Sequence, residues 1–372
     1  MDASSSQRIR GLDGLRACAV FMVFLEHRAS SHAAFGAAGV YLFFVLSGFL
    51  IFGILRRERA KILDGRCTAG EAWKCFMISR TLRIFPIYYM AIAGVWLLHE
   101  TIAGGLTAPG ELLSCLTFTS DFWIGFVHHQ WTPALSHFWS LAVEEQFYLL
   151  AAPIVLFGLL SARRLCGWFA LINIVAFTMF LTAGASIISL GTNPVINFGL
   201  FAMGGSLHEL DTEKWKKRTN SAAVAVLCML FVGLPWAVGA SMPIMAINAV
   251  MWLGGLLMAA LVFTVSLHQK SAMVRLLEWS PIAGLGRISY GFYVYHYILS
   301  PDTLRLMTGG RLELMALSPA FRLVVLFAIT ALVSILSWTL IEAPALKLKT
   351  RLLRERRERT SPLPSAGQQA LA

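Results

Sequence analysis

The sequence predicts an all-α fold: a polytopic transmembrane helical bundle of about ten spans with both termini cytoplasmic. Three observations predict it. Of the 372 residues, 57% are hydrophobic and only 14% are charged, far from the balance of a soluble domain. Apolar runs of about 20 residues recur along the chain, each long enough to cross a bilayer as a helix. The net charge of +11 is gathered in short basic clusters between those runs, which is the pattern of membrane topology rather than of nucleic-acid binding.

In chain order, the spans are expected at roughly 12–30, 36–55, 84–103, 142–161, 167–189, 194–209, 220–238, 243–266, 281–300 and 322–342. Basic residues cluster at Arg56, Arg57, Arg59 and Lys61, at Arg80 and Arg83, and at Arg163 and Arg164. Further clusters stand at Lys214 to Arg218, at Lys270 and Arg275, and from Lys347 to Arg359. All fall on one side if both termini are cytoplasmic. From Ile84 to Ala162 there is no lysine or arginine, so the loop 104–141 is expected to face outward. It holds Asp121, His128, His129, Trp131 and His137. Arg305 and Arg311 go against the bias. The 194–209 run is short enough to be re-entrant. No cleavable signal peptide is visible, so the first span is expected to stay. Residues 1–348 read as a single membrane domain, and 349–372 as a basic, disordered cytoplasmic tail. The six cysteines show no CxxC spacing, and the histidines lack ligand spacing on one helix, so no metal site is implied.

The chemistry lies in polar groups that apolar spans rarely carry. In "GLDGLRACAVFMVFLEHR" (11–28), Arg16 and His27 are eleven residues apart, about three helical turns, and share a face roughly 16 Å apart along the axis. An arginine inside a span needs protein, water or a partner around it. The local alternative is an Asp13–Arg16 pair at i,i+3. His27 is the side chain best suited to move a proton near neutral pH. The second span, "GVYLFFVLSGFLI", places Ser47 and Gly48 mid-membrane, and glycine there also suits close helix packing. In "SRTLRIFPIYY", Arg80 and Arg83 share a face and suit phosphate oxygens, although membrane anchoring also explains them. "HFWSLAVEEQFYLL" brings Trp139, Ser140, Glu144 and Glu145 into a span. "LGRISYGFYVYHYIL" carries Ser289, Tyr290, Tyr293 and His296, which also fit a structural hydrogen-bond network.

Those five segments, in that order, give the chain a resemblance to the membrane-bound acyltransferase 3 family over about residues 8–348. The resemblance implies transfer of an acyl group, often acetyl from acetyl-CoA, to a hydroxyl of a carbohydrate or glycolipid such as a cell-surface polysaccharide or O-antigen. His27 and Arg16 match the family's essential pair. Arg80 and Arg83 match the pair assigned to the acyl donor, and Glu144 matches the acid of its Ser-Leu-x-x-Glu stretch. The resemblance therefore implies His27, Arg16 and Glu144 as catalytic, and Arg80, Arg83, Arg16 and Ser47 as binding acyl-CoA. Asp13, Trp139, Ser140, Tyr290, Tyr293 and His296 are expected to meet the substrate. His27 acts either as general base or as an acylated intermediate; the sequence leaves both open. The competing reading is a transporter or flippase of a lipid-linked saccharide, using the same buried charges.

Overall fold

The computed structural model describes residues 8–29, 35–101, 106–226, 229 and 244–360. Among them every regular element is helical. The main helices are α1 (Leu12–Ala29), α2 (Phe35–Leu63), α3 (Ala69–Thr101), α4 (Phe138–Leu156), α5 (Ala162–Thr182), α6 (Pro194–Ser206), α7 (Ile244–Leu267), α8 (Ser280–Arg287), α9 (Ser289–Ile298), α10 (Pro319–Ser337) and α11 (Ala343–Thr360). The expected 220–238 span lies largely outside the described residues.

Among the described residues, four helices are long and apolar enough to cross a bilayer: Gly36–Leu63, Ala69–Glu100, Ala162–Thr182 and Pro319–Leu353. α1 carries Asp13, Arg16, Glu26, His27 and Arg28, and α4 carries Glu144 and Glu145. α1 packs against α2, α8, α9 and α10 and leaves Cys18 and Phe21 exposed. The face of a helix that others cover need not be uniformly apolar.

The outside of the bundle is greasier than parts of its inside. On α10, Thr330, Ser334 and Ser337 are buried, while Phe321, Val324, Leu332, Ile335 and Leu336 are exposed. α5 likewise exposes Leu171, Ile172, Ile174, Val175 and Met179. Apolar side chains facing outward around a polar stripe suit a hydrocarbon solvent, not water.

Several boundaries differ from expectation, each for a local reason. The third span begins fifteen residues early, at Ala69, so Arg80 and Arg83 lie inside α3 rather than before it, and Pro86 falls mid-helix rather than near its start. α4 starts at Phe138, ahead of the expected 142. α5 starts at Ala162, where the Ser161 hydroxyl accepts from the Arg164 N–H, and it ends before Gly184 at φ +70°. α6 is capped by the Asn193 carboxamide and opened by Pro194. Its 13 residues extend only about 20 Å. The expected span 281–300 is two helices, parted at Ile288, with Gly286 set directly against the Asp13 backbone. α10 passes through a wide turn, Trp338–Glu342, into α11, which runs to Thr360. The first part of the expected disordered tail, 349–360, is therefore helical; residues beyond 360 lie outside the described ones. The segment expected to face outward also folds over residues 106–141, with short helices at Glu111–Leu116 and Ser120–Phe122 and a wide turn at Trp123–His128.

Candidate active site

Two cavities among the described residues gather the polar side chains of the spans. The narrower, about 80 Å³, is lined by Arg16, Ser47, Arg80, Arg83, Glu144 and Tyr290 among others. The wider, about 680 Å³, is lined by Glu26, His27, Arg28, Trp131, His137 and Trp139 among others. Val40 and Tyr293 belong to both walls.

Four helices show how the cavities are arranged. α1 gives Arg16 to the narrow cavity and His27 to the wide one. α9 runs in the same sense, from Ser289 and Tyr290 in the narrow wall, through Tyr293, to Tyr297 in the wide wall. α2 and α4 run the other way. α2 passes from Gly36 and Ala37 through Val40 to Ser47 and Ile51; α4 passes from Trp139 to Ser140, Glu144 and Tyr148. The cavities are thus stacked end to end along the bundle, with Arg16 and His27 at different levels of one helix face.

The narrow cavity is cationic at one wall. Arg16 donates to Asp13 at 2.9 Å, so the local pair is real, yet its guanidinium also lines the cavity. Arg80 lies over the rings of Phe76 and Tyr148, 5.5 and 5.6 Å from their centroids. Its Nε is buried without a hydrogen-bond partner. Among the described residues, neither Arg80 nor Arg83 has a carboxylate within ion-pair distance. Opposite them, the Ser47 hydroxyl donates to Glu144 Oε1 at 2.6 Å and the Tyr148 hydroxyl donates to the same oxygen. Two donors fix this carboxylate in place. Glu145, the neighbouring acid, is buried and does not line the cavity.

Tyr293 is wedged between the cavities. Its hydroxyl bonds Ser140 Oγ at 2.6 Å and donates to the His137 carbonyl at 3.0 Å, joining α9 to α4. Beyond it stand three histidines. His27 is exposed and lines the wide cavity. Its Nδ1 lies 3.0 Å from Nε2 of the fully buried His296. The His137 Nε2 donates to the Val294 carbonyl at 3.0 Å. The Arg28 guanidinium donates to the carbonyls of His296 and Tyr297, the latter at 2.9 Å. These are carbonyls that the end of α9 leaves open. The wall above is braced by Glu111, which accepts from the Thr132 hydroxyl and from the Ala108 N–H at 3.0 Å. Burial pushes the Glu111 carboxyl above its ordinary range.

Comparison with known proteins fits this geometry. A family model described as an acyltransferase domain, of the acyltransferase 3 type, matches residues 9–339. The chain belongs to the acyltransferase 3 family. It is 27% identical over 374 aligned residues to the peptidoglycan O-acetyltransferase OatA of Listeria monocytogenes, covering 92% of this chain and 56% of that one. It is 24% identical over 366 residues to the O-acetyltransferase OatA of Staphylococcus aureus, covering 92% and 58%. The chain thus spans little more than half the length of these relatives. No solved structure matches it.

In this acyltransferase 3 chain, the residues singled out from sequence fall into three groups. Arg16, Ser47, Arg80, Arg83, Ser140, Glu144, Tyr290 and Tyr293 share the narrow cavity. His27, Trp139 and Tyr293 share the wide one. His296 touches His27 from behind and lines neither; Asp13 lines neither and is held by Arg16 and Arg8. Sequence reasoning missed Arg28, Tyr148 and Tyr297, and placed His137 only in a loop. Tyr148 had a readable signal, its i+4 spacing from Glu144. Arg28 had only its position beside His27.

Proposed function

We propose that the chain is an integral-membrane O-acyltransferase of a bacterial cytoplasmic membrane. It moves an acyl group, acetyl in the first instance, from acyl-CoA to a hydroxyl of a cell-wall or cell-surface carbohydrate. One observation carries the reading: two stacked cavities, one cationic and one aromatic and acidic, meet at Val40 and Tyr293 beside an imidazole. The orientation follows the basic clusters, with both termini cytoplasmic. The Arg16 level then faces the compartment that supplies acyl-CoA, and the His27 level faces outward.

Arg80 and Arg83, with Arg16, bind the phosphates of the donor by charge-assisted hydrogen bonds. The slender pantetheine arm threads the narrow cavity past Ser47, Glu144 and Tyr290. The carbohydrate enters the wide cavity, where Trp131 and Trp139 offer ring faces and Glu26 and Asp302 offer acceptors. His27 takes the proton of the attacking hydroxyl as its oxygen bonds to the thioester carbonyl carbon. The C–S bond then breaks, and the same proton passes from His27 to the departing sulfur. A site closed off by apolar helices protects the thioester from hydrolysis. The names of the OatA relatives support a glycan acceptor and acetyl transfer.

The test uses purified protein, radiolabelled acetyl-CoA and a cell-wall glycan. Label is expected to reach the glycan, and His27→Ala to lower the rate by about 10²–10⁴-fold. Saccharide movement across vesicles without acylation would instead support a transporter and overturn the proposal.

A further inference from the structure

We infer that His296 is a positioning residue that fixes the tautomer of His27, leaving His27 Nε2 as the basic nitrogen. The inference rests on the acyltransfer reading and assigns His296 a task different from meeting the substrate. The argument is one of donors and acceptors. His296 Nδ1 lies 2.5 Å from the carbonyl oxygen of Tyr293. A carbonyl only accepts, so His296 Nδ1 carries a proton. His296 is fully buried beside the Arg28 guanidinium, which already donates to the His296 carbonyl. A second unpaired cation there is costly, so the ring is neutral and its Nε2 is an acceptor. The contact between His27 Nδ1 and His296 Nε2, at 3.0 Å, then requires the proton on His27 Nδ1. A neutral His27 with its proton on Nδ1 holds its free lone pair on Nε2.

The surroundings favour this arrangement, with the Val23 carbonyl one turn back on α1 a second acceptor for the His27 ring. His137 donates its own Nε2 proton to Val294, so it does not compete for His296 Nε2. The Tyr297 ring stands edge-on to His27, 4.8 Å between centroids, and limits its rotation. Arg28 ties the end of α1 to the end of α9 and holds the two imidazoles at one level. When His27 takes the hydroxyl proton on Nε2, it becomes an imidazolium whose Nδ1–H still points at His296. The neutral ring shares that charge. The proton then leaves Nε2 for the departing sulfur, and His296 ends as it began. A buried neutral imidazole here does the orienting that a carboxylate performs in Ser-His-Asp sites.

The test pairs kinetics with nitrogen NMR on the full chain in detergent or nanodiscs. With ¹⁵N-labelled histidine, wild-type His27 is expected to show a protonated Nδ1 and an imine-type Nε2; a protonated Nε2 would overturn the inference. His296→Leu removes the acceptor and is expected to lower kcat by about 10²-fold with little change in either KM. His296→Gln puts an amide oxygen at about the reach of Nε2 and is expected to recover most of that loss. Equal losses in the two variants, or losses in neither, would also overturn it. If wild-type protein transfers no label, the acyltransfer reading itself fails; if His27→Ala keeps full transfer, His27 is not the base and the role of His296 falls with it. If His27→Ala is inactive while wild-type His27 is protonated on Nε2, only the role of His296 fails.

Discussion

At the scale of single residues, the balance of charge in the narrow cavity decides what it holds. Arg16 has a carboxylate partner, whereas Arg80 rests on aromatic rings and Arg83 has no carboxylate within reach among the described residues. Partly buried cations of this kind are stabilised when an anion arrives. Charge-assisted hydrogen bonds contribute about 1.5–3 kcal/mol each. Arg80→Ala and Arg83→Ala are therefore expected to raise the KM for acyl-CoA by about 10–100-fold, with a much smaller change in kcat. Steady-state kinetics at saturating acceptor would check this; an unchanged KM for the donor would remove both arginines from its site. Lysine at position 83 should recover part of the loss, since it keeps the charge without the planar fork.

Much of this residue-level picture was legible because each group is out of place in an apolar run. Arg16, Ser47, Arg80, Arg83 and Glu144 announce themselves by what surrounds them in sequence, and they converge on one cavity. Their partners do not announce themselves. His27 and His296 are 269 positions apart, and nothing local says that they touch. The role of Arg28 follows from where α9 ends, which depends on tertiary placement. Asp13 lines neither cavity, and its oxygens accept from Arg16 and Arg8, partners that the sequence shows only in part.

At the scale of elements, the crossing of α2 and α6 sets the spacing that the site needs. A Cβ at Gly48 would fall 2.0 Å from the Phe201 carbonyl oxygen, and one at Gly204 would fall 2.0 Å from the Val45 carbonyl oxygen. Both obstacles are backbone, so neither can swing aside. The two helices touch through reciprocal glycines, as small residues allow in membranes. Gly204→Ala is expected to cost about 1–3 kcal/mol and to lower the thermal midpoint in detergent. Gly94→Ala in α3, with open space around its Cβ, serves as the control and should leave the midpoint unchanged or raised. Equal midpoints for the two variants would contradict the packing described. From sequence, Gly48 suggested a close contact but not its partner. The shortness of α6 was legible in the 194–209 run, and its start is set by the Asn193 cap and Pro194. The split of α8 from α9 was hidden too, because "LGRISY" keeps its apolar pattern through the break.

At the scale of the whole molecule, the bundle is greasy without, carries polar groups within an otherwise apolar core, and holds two cavities in series. The all-helical class was legible from composition and run length. The stacking of the cavities was not, since it needs α1 and α9 to run one way and α2 and α4 the other at matching levels. The shared residues Val40 and Tyr293 sit where the compartments meet, and the proposed chemistry passes between them. The most direct measurement is a plug at that point. Val40→Trp, assayed for acyl-CoA binding and for acyl transfer in the same preparation, is predicted to bind the donor within about threefold of wild type while transfer falls by about 10²-fold or more. Transfer at the wild-type rate in a protein with the junction filled would contradict the account.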